Sequence, residues 1–186
     1  MRRIICFFFF LNLIACTDGD NYKSQLNGSC PDVELQQIVK DSLLEYSVNL
    51  PAEYAVYKNY GDLSLASVKP TELDNYIESF GLTIEQNSMN YRLNEFYKNG
   101  TYWDQEEYER DFDDFSMVTQ GKTMINDVEY KYNIYTYGNE QVLRMFGISN
   151  NLTYSLMFLS NQEDFDSLFC KYVNIAQTLK IGQDSL

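Results

Sequence analysis

The side chains that this sequence offers for chemistry are carboxylates, hydroxyls and four cysteines, because it contains no histidine. A chain without histidine lacks both the Ser-His-Asp and the Cys-His arrangements of hydrolases, and it has no imidazole ligand for a metal ion. It also lacks a glycine-rich phosphate loop. Three kinds of site remain: cysteine chemistry, paired carboxylates, and binding through aromatic side chains. We therefore expect no cofactor.

Acidic residues are densest from Asp104 to Asp114, in the run DQEEYERDFDD. A calcium loop needs oxygen ligands at fixed alternating positions around a sharp glycine turn, and this run has neither. We therefore predict no metal site and interpret the run as a solvated helix face. Two carboxylates could still serve as the acid and base of a glycosidase-like reaction, but nothing in the sequence selects a pair.

The cysteine at position 16 follows a short apolar segment with a positive start. Arg2 and Arg3 precede residues 4–14, which are apolar except for Asn12. This is about half the length that a helix needs to cross a bilayer, and it is typical of an export signal. The ending Leu-Ile-Ala-Cys16 resembles the lipobox of bacterial lipoproteins, which implies a signal peptide over 1–15 and lipid on the sulfur of Cys16. The alternatives are an ordinary cleaved signal, or a core strand with a chance cysteine.

Lipid on Cys16 implies a stable membrane anchor, since each buried CH₂ contributes about 0.8 kcal/mol and two or three acyl chains suffice. We expect a bacterial envelope protein, anchored in the outer membrane on an undecided face. Residues 16–29 are polar and predict a flexible tether. Their first acidic residues, Asp18 and Asp20, resemble the surface-export signal of Bacteroidetes lipoproteins, although a plain polar tether would look the same.

Two cysteines, Cys30 and Cys170, remain after the signal peptide and Cys16 are set aside. They are not in a C-x-x-C motif, so a thioredoxin-type role is not expected. Export permits a disulfide between them. Such a bond would close a long loop and contribute about 4–5 kcal/mol in the chain-entropy model. The alternative is two unpaired, buried thiols.

Aromatic side chains cluster beside the acidic run. Tyr97, Tyr102, Trp103 and Tyr108 combine large rings with acidic neighbours and Gly100. Exposed rings with a polar rim are typical of interaction sites. We therefore treat these four residues as a candidate binding patch, with the alternative that the rings plug the edge of the core.

Three Asp-Ser-Leu triplets resemble the Asp-Ser/Thr-apolar sequon for O-glycosylation in Bacteroidetes. Ser167 falls on a predicted packed helix. Ser42 and Ser185 are therefore the candidate glycosylation sites.

The charge of the chain limits its partners. Residues 1–15 contain two basic residues and no acidic ones, so their removal changes the formal net charge from −13 to −15. This charge disfavours nucleic-acid backbones and anionic membrane surfaces as partners. We expect a protein partner and no nucleic acid, and a basic partner is compatible with the charge.

The elements that must hold these residues follow from hydrophobic periodicity. The pattern predicts a short helix over 32–43, irregular helical turns over 93–112 interrupted by a loop at Asn99-Gly100, and a final amphipathic helix over 162–179. It predicts strands at 44–50, 54–58, 63–69, 76–86, 115–123, 128–137, 141–149 and 152–160. Asn126-Asp127 and Asn150-Asn151 are predicted hairpin turns. One domain over 30–182 results, an α+β fold with an antiparallel β-sheet flanked by helices.

Three stretches, EYSVNLPAEYAVYK, GKTMINDVEYKYNIYTYG and LTYSLMFLSNQEDFDSLFCKYVNIAQTLKI, resemble the PsbP-like and DcrB-type family. That family includes photosystem subunits, a Ran-binding protein, envelope lipoproteins and chaperones of secreted toxins. The resemblance spans 44–181 and implies an α/β/α sandwich with its long C-terminal helix packed on the sheet. It implies a binding scaffold without a shared active site.

These observations favour a non-catalytic protein-binding module of the envelope, with an assembly, adaptor or immunity-type role. The alternative is an envelope hydrolase that uses a carboxylate pair. A closed pocket lined by carboxylates would favour the hydrolase, and an exposed aromatic surface would favour the binding module.

Overall fold

The computed structural model describes residues 18–70 and 78–182. A short helix and a π-helical turn come first, followed by ten strands and two longer helices. In chain order these are α1 Asp18–Ser24, the turn Gln25–Ser29, β1 Gln37–Asp41, β2 Tyr46–Leu50, β3 Ala55–Tyr60, β4 Leu63–Lys69, β5 Glu78–Gln86, α2 Leu93–Asp111, β6 Ser116–Ile125, β7 Val128–Tyr137, β8 Glu140–Ser149, β9 Leu152–Asn161, α3 Gln162–Thr178 and β10 Lys180–Ile181.

The strands form two antiparallel sheets. The larger has the order β3-β4-β5-β9-β8-β7-β6, and the smaller has the order β1-β2-β10. Helix α3 packs against one face of the large sheet, which we call the inner face, where Phe158 stacks on Tyr172. Helix α2 packs against the opposite, outer face on β7 and β8. The predicted α+β fold with a long C-terminal helix is confirmed.

The two predicted hairpins are present, and their turns have the backbone that asparagine tolerates. Asn126 and Asp127 have φ of 50° and 63°, and Asn150 and Asn151 have φ of 51° and 61°. Two consecutive residues with positive φ match a type I′ turn, whose twist suits antiparallel strands. Strand β7 has the bounds that the sequence predicts.

The predicted helix over 32–43 is wrong, because this segment ends in strand β1. Val39 pairs with Val48 of β2. Side chains at 33, 35, 37 and 39 are at least partly buried, whereas their neighbours are exposed. Burial with a period of two is the signature of a strand, and it was hidden by the glutamines in the segment.

The predicted break at Asn99-Gly100 is also wrong, because α2 runs through it as one helix. A Cβ on Gly100 would lie 2.8 Å from Cζ of Phe146 on β8, and closer still to Cε1. Glycine is therefore required here for the close approach of helix and sheet, and it does not end the helix.

Residues 18–29 differ from the expected flexible tether. Tyr22 and Leu26 are 3% and 2% exposed. The ring of Tyr22 lies 4.7 Å from that of Phe169, and its hydroxyl donates to Asp166. Thr123 Oγ1 donates to the carbonyl of Leu26 over 3.0 Å. The two apolar side chains are four residues apart, so one face of this short segment is buried on the domain.

Within residues 18–70 and 78–182, no helix combines the length and the apolar character needed to span a membrane.

Candidate binding surface

Helix α2 contacts the sheet through residues spaced by three and four along its length. Tyr97 donates its hydroxyl proton to Gln120 Oε1 over 2.9 Å, and its ring lies edge-on to Phe146 at 5.7 Å. Tyr108 lies nearly parallel to Tyr137, with ring centroids 4.3 Å apart. Two of the four rings of the predicted patch therefore hold the helix on the sheet. This agrees with the alternative that the rings fill the edge of the core.

One carboxylate of the acidic run also faces the sheet. Asp104 lies 3.7 Å from the Arg144 guanidinium, and only 15% and 18% of the two side chains are exposed. Burial raises the pKa of the Asp104 carboxyl, and the Arg144 charge opposes that shift. The remaining acidic residues of the run are exposed, as a solvated face requires. Among the described residues, no three Cys, Asp or Glu side chains are grouped as metal ligands.

The other two rings of the predicted patch are exposed. Tyr102 and Trp103 are 60% and 67% exposed, and they contact each other edge-on at 6.1 Å. Trp103 is seven residues after Phe96, which places both on the same flank of the helix. Phe96 packs on Phe146 of β8 at 5.6 Å. This flank therefore points away from β7 and towards β9.

Beyond that flank, the outer face of the sheet has a groove. The strand registers place Tyr57, Ala66, Gly81, Met157 and Arg144 in one row across β3, β4, β5, β9 and β8. Ala66 and Gly81 are the smallest of the five, so the sheet surface is lowest between Tyr57 and Met157. The side chain of Leu63 partly covers Gly81 there. The resulting cavity, which we call the outer-face groove, has a volume of about 320 Å³. Its lining also includes Tyr60, Leu63, Val68 and Ser79.

Two tyrosines form the far wall of the outer-face groove. Tyr57 and Tyr60 are 46% and 64% exposed, and their rings are 5.9 Å apart. Residues three apart in a regular strand point to opposite faces. Asn59, between them, has φ of 52°, and this left-handed residue brings Tyr60 to the side of Tyr57. The sequence analysis missed this wall, although a pair of tyrosines around an asparagine in an edge strand could have indicated it.

A second cavity has the carboxylates that a hydrolase would need. It has a volume of about 300 Å³ and is lined by Leu43, Leu44, Glu45, Ile84, Glu85, Gln86 and Leu152. Glu45 and Glu85 are both exposed. A general acid of a glycosidase is normally held in an apolar pocket that keeps it protonated, and these side chains lie at the surface.

The most buried carboxylate has its charge compensated. Glu78 is 1% exposed and lies 3.0 Å from Lys171 Nζ and 4.0 Å from Lys69 Nζ. Tyr54 donates its hydroxyl proton to the same carboxylate. Burial raises the pKa of the Tyr54 hydroxyl far above its ordinary value, with the Glu78 hydrogen bond adding to the effect. This cluster is a stabilising contact between β5 and α3.

The remaining predicted site residues fall in different places. Cys30 and Cys170 are joined by a disulfide bond, with Cα atoms 5.2 Å apart, which ties the segment before β1 to α3. Ser42 is exposed in the connection between β1 and β2. Cys16 and Ser185 lie outside the described residues.

No family model matches the sequence, and no curated protein matches it. Solved structures do match. Cyanobacterial PsbP from Synechocystis aligns with a TM-score of 0.62 at 10% identity, over 83% of this chain and 98% of that one. LpqN of Mycobacterium tuberculosis, a protein involved in cell envelope biogenesis, aligns with a TM-score of 0.50 at 10% identity, over 81% of this chain and 92% of that one.

A third structure, from Bacteroides thetaiotaomicron, aligns with a TM-score of 0.50 at 9% identity, over 82% of this chain and 51% of that one. At such identities the similarity concerns architecture alone. Together with the strand order and the long helix α3, it shows that this chain has a PsbP-like α+β fold.

Proposed function

We propose that this protein is a lipid-anchored, non-catalytic protein-binding module of the bacterial envelope, with an assembly, adaptor or immunity-type role. The observation that carries the proposal is an apolar groove on the outer face with two exposed pairs of aromatic rings near it, which we call the aromatic walls. Tyr57 and Tyr60 line the groove on β3. Tyr102 and Trp103 are exposed on α2, and the flank of α2 that carries Trp103 points towards β9.

Physical reasons favour this surface as a contact site. Tyrosine and tryptophan are enriched among the residues that dominate binding energy, particularly around pockets that exclude water. Clusters of exposed rings with a polar rim are typical of contact sites. Tyr97 and Tyr108 already fix α2 to the sheet, so Tyr102 and Trp103 are free to serve another purpose.

The envelope location rests on the start of the chain. Leu-Ile-Ala-Cys16 supplies the lipidation pattern, and α1 begins two residues later at Asp18. A disulfide between Cys30 and Cys170 suits an oxidising compartment outside the cytoplasm. We place the anchor in the outer membrane. The PsbP-like fold is shared with LpqN, whose role concerns the cell envelope.

The partner is a protein with a basic surface. A net charge of −15 after removal of residues 1–15 favours a positive partner, and it disfavours nucleic acid. The exposed carboxylates of α2 lie beside Trp103, so this charge is present at the proposed contact.

An envelope hydrolase is the second candidate, and the specific observation for it is the presence of Glu45 and Glu85 at one cavity. We rank it lower because both carboxylates are exposed and the cavity lies away from the aromatic walls.

The experiment compares two variants of the full-length protein in its native host. Tyr102→Ala with Trp103→Ala removes one aromatic wall, and Tyr97→Ala removes a ring that holds α2 on the sheet. We expect the double variant to melt within a few degrees of the wild type but to lose its co-purifying envelope partner. Tyr97→Ala should instead lower the melting temperature. A large fall in melting temperature for the double variant would make these residues core and overturn the proposal.

A further inference from the structure

We infer that the outer-face groove binds an amphipathic helix of the partner. The bound helix lies alongside α2 and completes the helical layer on that face. The inference rests on the proposed binding function and names the kind of partner segment that the surface fits.

Helix α2 shows the direction in which a helix packs on the outer face of the sheet. Gly100 lies over Phe146, and Asp104 lies over Arg144 on the same strand. Four residues of helix span about 6 Å, and two residues of strand span about 7 Å. The axis of α2 therefore runs along the strands, and a second helix parallel to it would also follow them.

The space beside α2 has the width of one helix. From a line between β7 and β8, where α2 lies, to β3 there are four and a half strand spacings, or about 22 Å. Helix α2 fills about 5 Å of this distance, because a helix with side chains is 10–12 Å across. About 17 Å remains before the β3 backbone, which accommodates one helix with the rings of Tyr57 and Tyr60 at its side.

The floor of this space suits close packing. Ala66, Ser79 and Gly81 are small residues on β4 and β5. The side chains of Leu63 and Met157 reach over Gly81, 3.4–3.8 Å from the position that its Cβ would take. Neighbouring helix axes are about 8–10 Å apart. A helix at that distance from α2 would lie over β9 and β5, at the near edge of this floor. Small residues on one surface with Met or Leu side chains on the other allow the interlocking that a helix in a groove requires.

The charge of the walls determines the polar face of the incoming helix. Glu107 is four residues after Trp103, so it lies on the same flank of α2 and is exposed. The groove itself has an apolar lining. The occupant is therefore a helix with a narrow aliphatic stripe and basic flanks. A second copy of this chain is disfavoured, because each copy carries the same large negative charge.

The other edge of the sheet offers a weaker alternative. A partner strand could pair with β3, since among the described residues only β4 pairs with it. Such a strand would leave the groove empty and would lie outside Tyr57. It is the competing mode that the experiment must separate.

The test uses the chain from residue 16 with Cys16→Ser, which keeps every described residue. The probe is a blocked peptide of two tandem copies of Lys-Leu-Ala-Lys-Leu-Ala-Lys. One control peptide has glutamate in place of lysine, and another has two central alanines replaced by proline. Trp103 is the sole tryptophan and is 67% exposed on the flank of α2 that a neighbouring helix would contact, so its fluorescence reports binding without a label.

We expect the basic helical peptide to shift the Trp103 emission to shorter wavelength with saturation, and both control peptides to bind about tenfold more weakly or less. Ala66→Leu fills the groove and should weaken binding of the basic peptide about tenfold. Val118→Leu, on the exposed edge strand β6, is the matched control and should leave binding unchanged. Should Ala66→Leu fail to fold, Tyr57→Ser with Tyr60→Ser removes the far wall at two exposed positions and should weaken binding in the same way.

Equal binding of the proline peptide, or unchanged binding by the groove variants, would overturn the helix inference. Amide shifts confined to β3 in a nuclear magnetic resonance titration would do the same, since they would indicate strand pairing. None of these outcomes would affect the proposed function. It fails if the variant with Tyr102→Ala and Trp103→Ala melts far below the wild type, or if this variant keeps the natural partner.

Discussion

At the scale of single residues, two glycines and two pairs of exposed aromatic rings determine the shape of the outer face. Gly100 sets the distance between α2 and β8, and Gly81 makes room for the Leu63 and Met157 side chains that line the neighbouring groove. The sequence shows a glycine at both positions, but it does not show which side chain packs against each one. In each case the neighbour is distant in sequence, so local propensity alone suggests a break or a bulge.

We predict that Gly100→Ala destabilises the protein although alanine is the better helix former. Propensity alone would stabilise α2 by about 1 kcal/mol. The added Cβ overlaps the buried Phe146 ring, and overpacking typically costs about 1–3 kcal/mol. We therefore expect a melting temperature several degrees below the wild type by calorimetry. Asn99→Ala, at an exposed neighbouring position, is the control, and a Gly100→Ala protein that melts higher would contradict the packing described.

Burial of tyrosines makes the fold sensitive to alkali. Burial raises the pKa of Tyr46 and of Tyr154 to about 12, from an ordinary value of 10.0. Each phenol keeps its proton in the folded chain at pH values where the unfolded chain loses it, so rising pH favours unfolding. Their contribution is complete below about pH 10 and is lost as the pH rises towards about 12.

Tyrosinate absorbance followed with circular dichroism should therefore show a cooperative step in which buried tyrosines ionise as the secondary structure is lost. Smooth ionisation of all tyrosines without loss of structure would show that the rings are accessible.

At the scale of elements, hydrophobic periodicity predicted the strands and the helix whose apolar residues recur regularly. Strands with clear alternation and the amphipathic helix α3 were predicted within a few residues of their bounds. The failures have a common cause. Gln36 and Gln37 interrupt the apolar residues at the start of β1, and α2 has no fully buried residue, so both patterns are weak. The groove could not be predicted, because it depends on which strands become neighbours.

The first helix tests whether the domain includes residues 18–29. We predict that Tyr22→Ala costs about 3–5 kcal/mol, the usual range for removing a buried aromatic ring. Lys23→Ala, at an exposed position in the same helix, is the control and should have little effect. Denaturant unfolding measures both. Equal stability of the two variants would show that this segment is the flexible tether that its composition suggests.

At the scale of the whole molecule, we propose a lipid anchor at Cys16 next to a disulfide-bonded domain with one aromatic surface. The folded segment starts two residues after Cys16, so a lipid on Cys16 would be linked to the domain by at most about 10 Å of chain. The domain would lie close to the bilayer rather than on a long flexible tether. The charge is compatible with this arrangement, because repulsion of the acidic domain by anionic lipid would leave it available to the proposed basic partner.

We predict that Cys16→Ser moves the protein from the membrane fraction to the soluble fraction of the cell envelope, since the sulfur that would carry lipid is gone. Cell fractionation with immunoblotting measures this. Cys30→Ser together with Cys170→Ser is the control, because it removes two cysteines but leaves the proposed lipid attachment. A Cys16→Ser protein that stays in the membrane fraction at the wild-type level would rule out the anchor.

The most direct test of the binding claim is site-specific photo-crosslinking in the native host. A benzophenone amino acid replaces Trp103 on α2 in one strain, and it replaces Met124 on β6 in another; both positions are well exposed. We expect a discrete crosslinked partner from position 103 and little or none from position 124. Crosslinking of the same species from both positions, or from position 124 alone, would contradict the assignment of binding to the outer face.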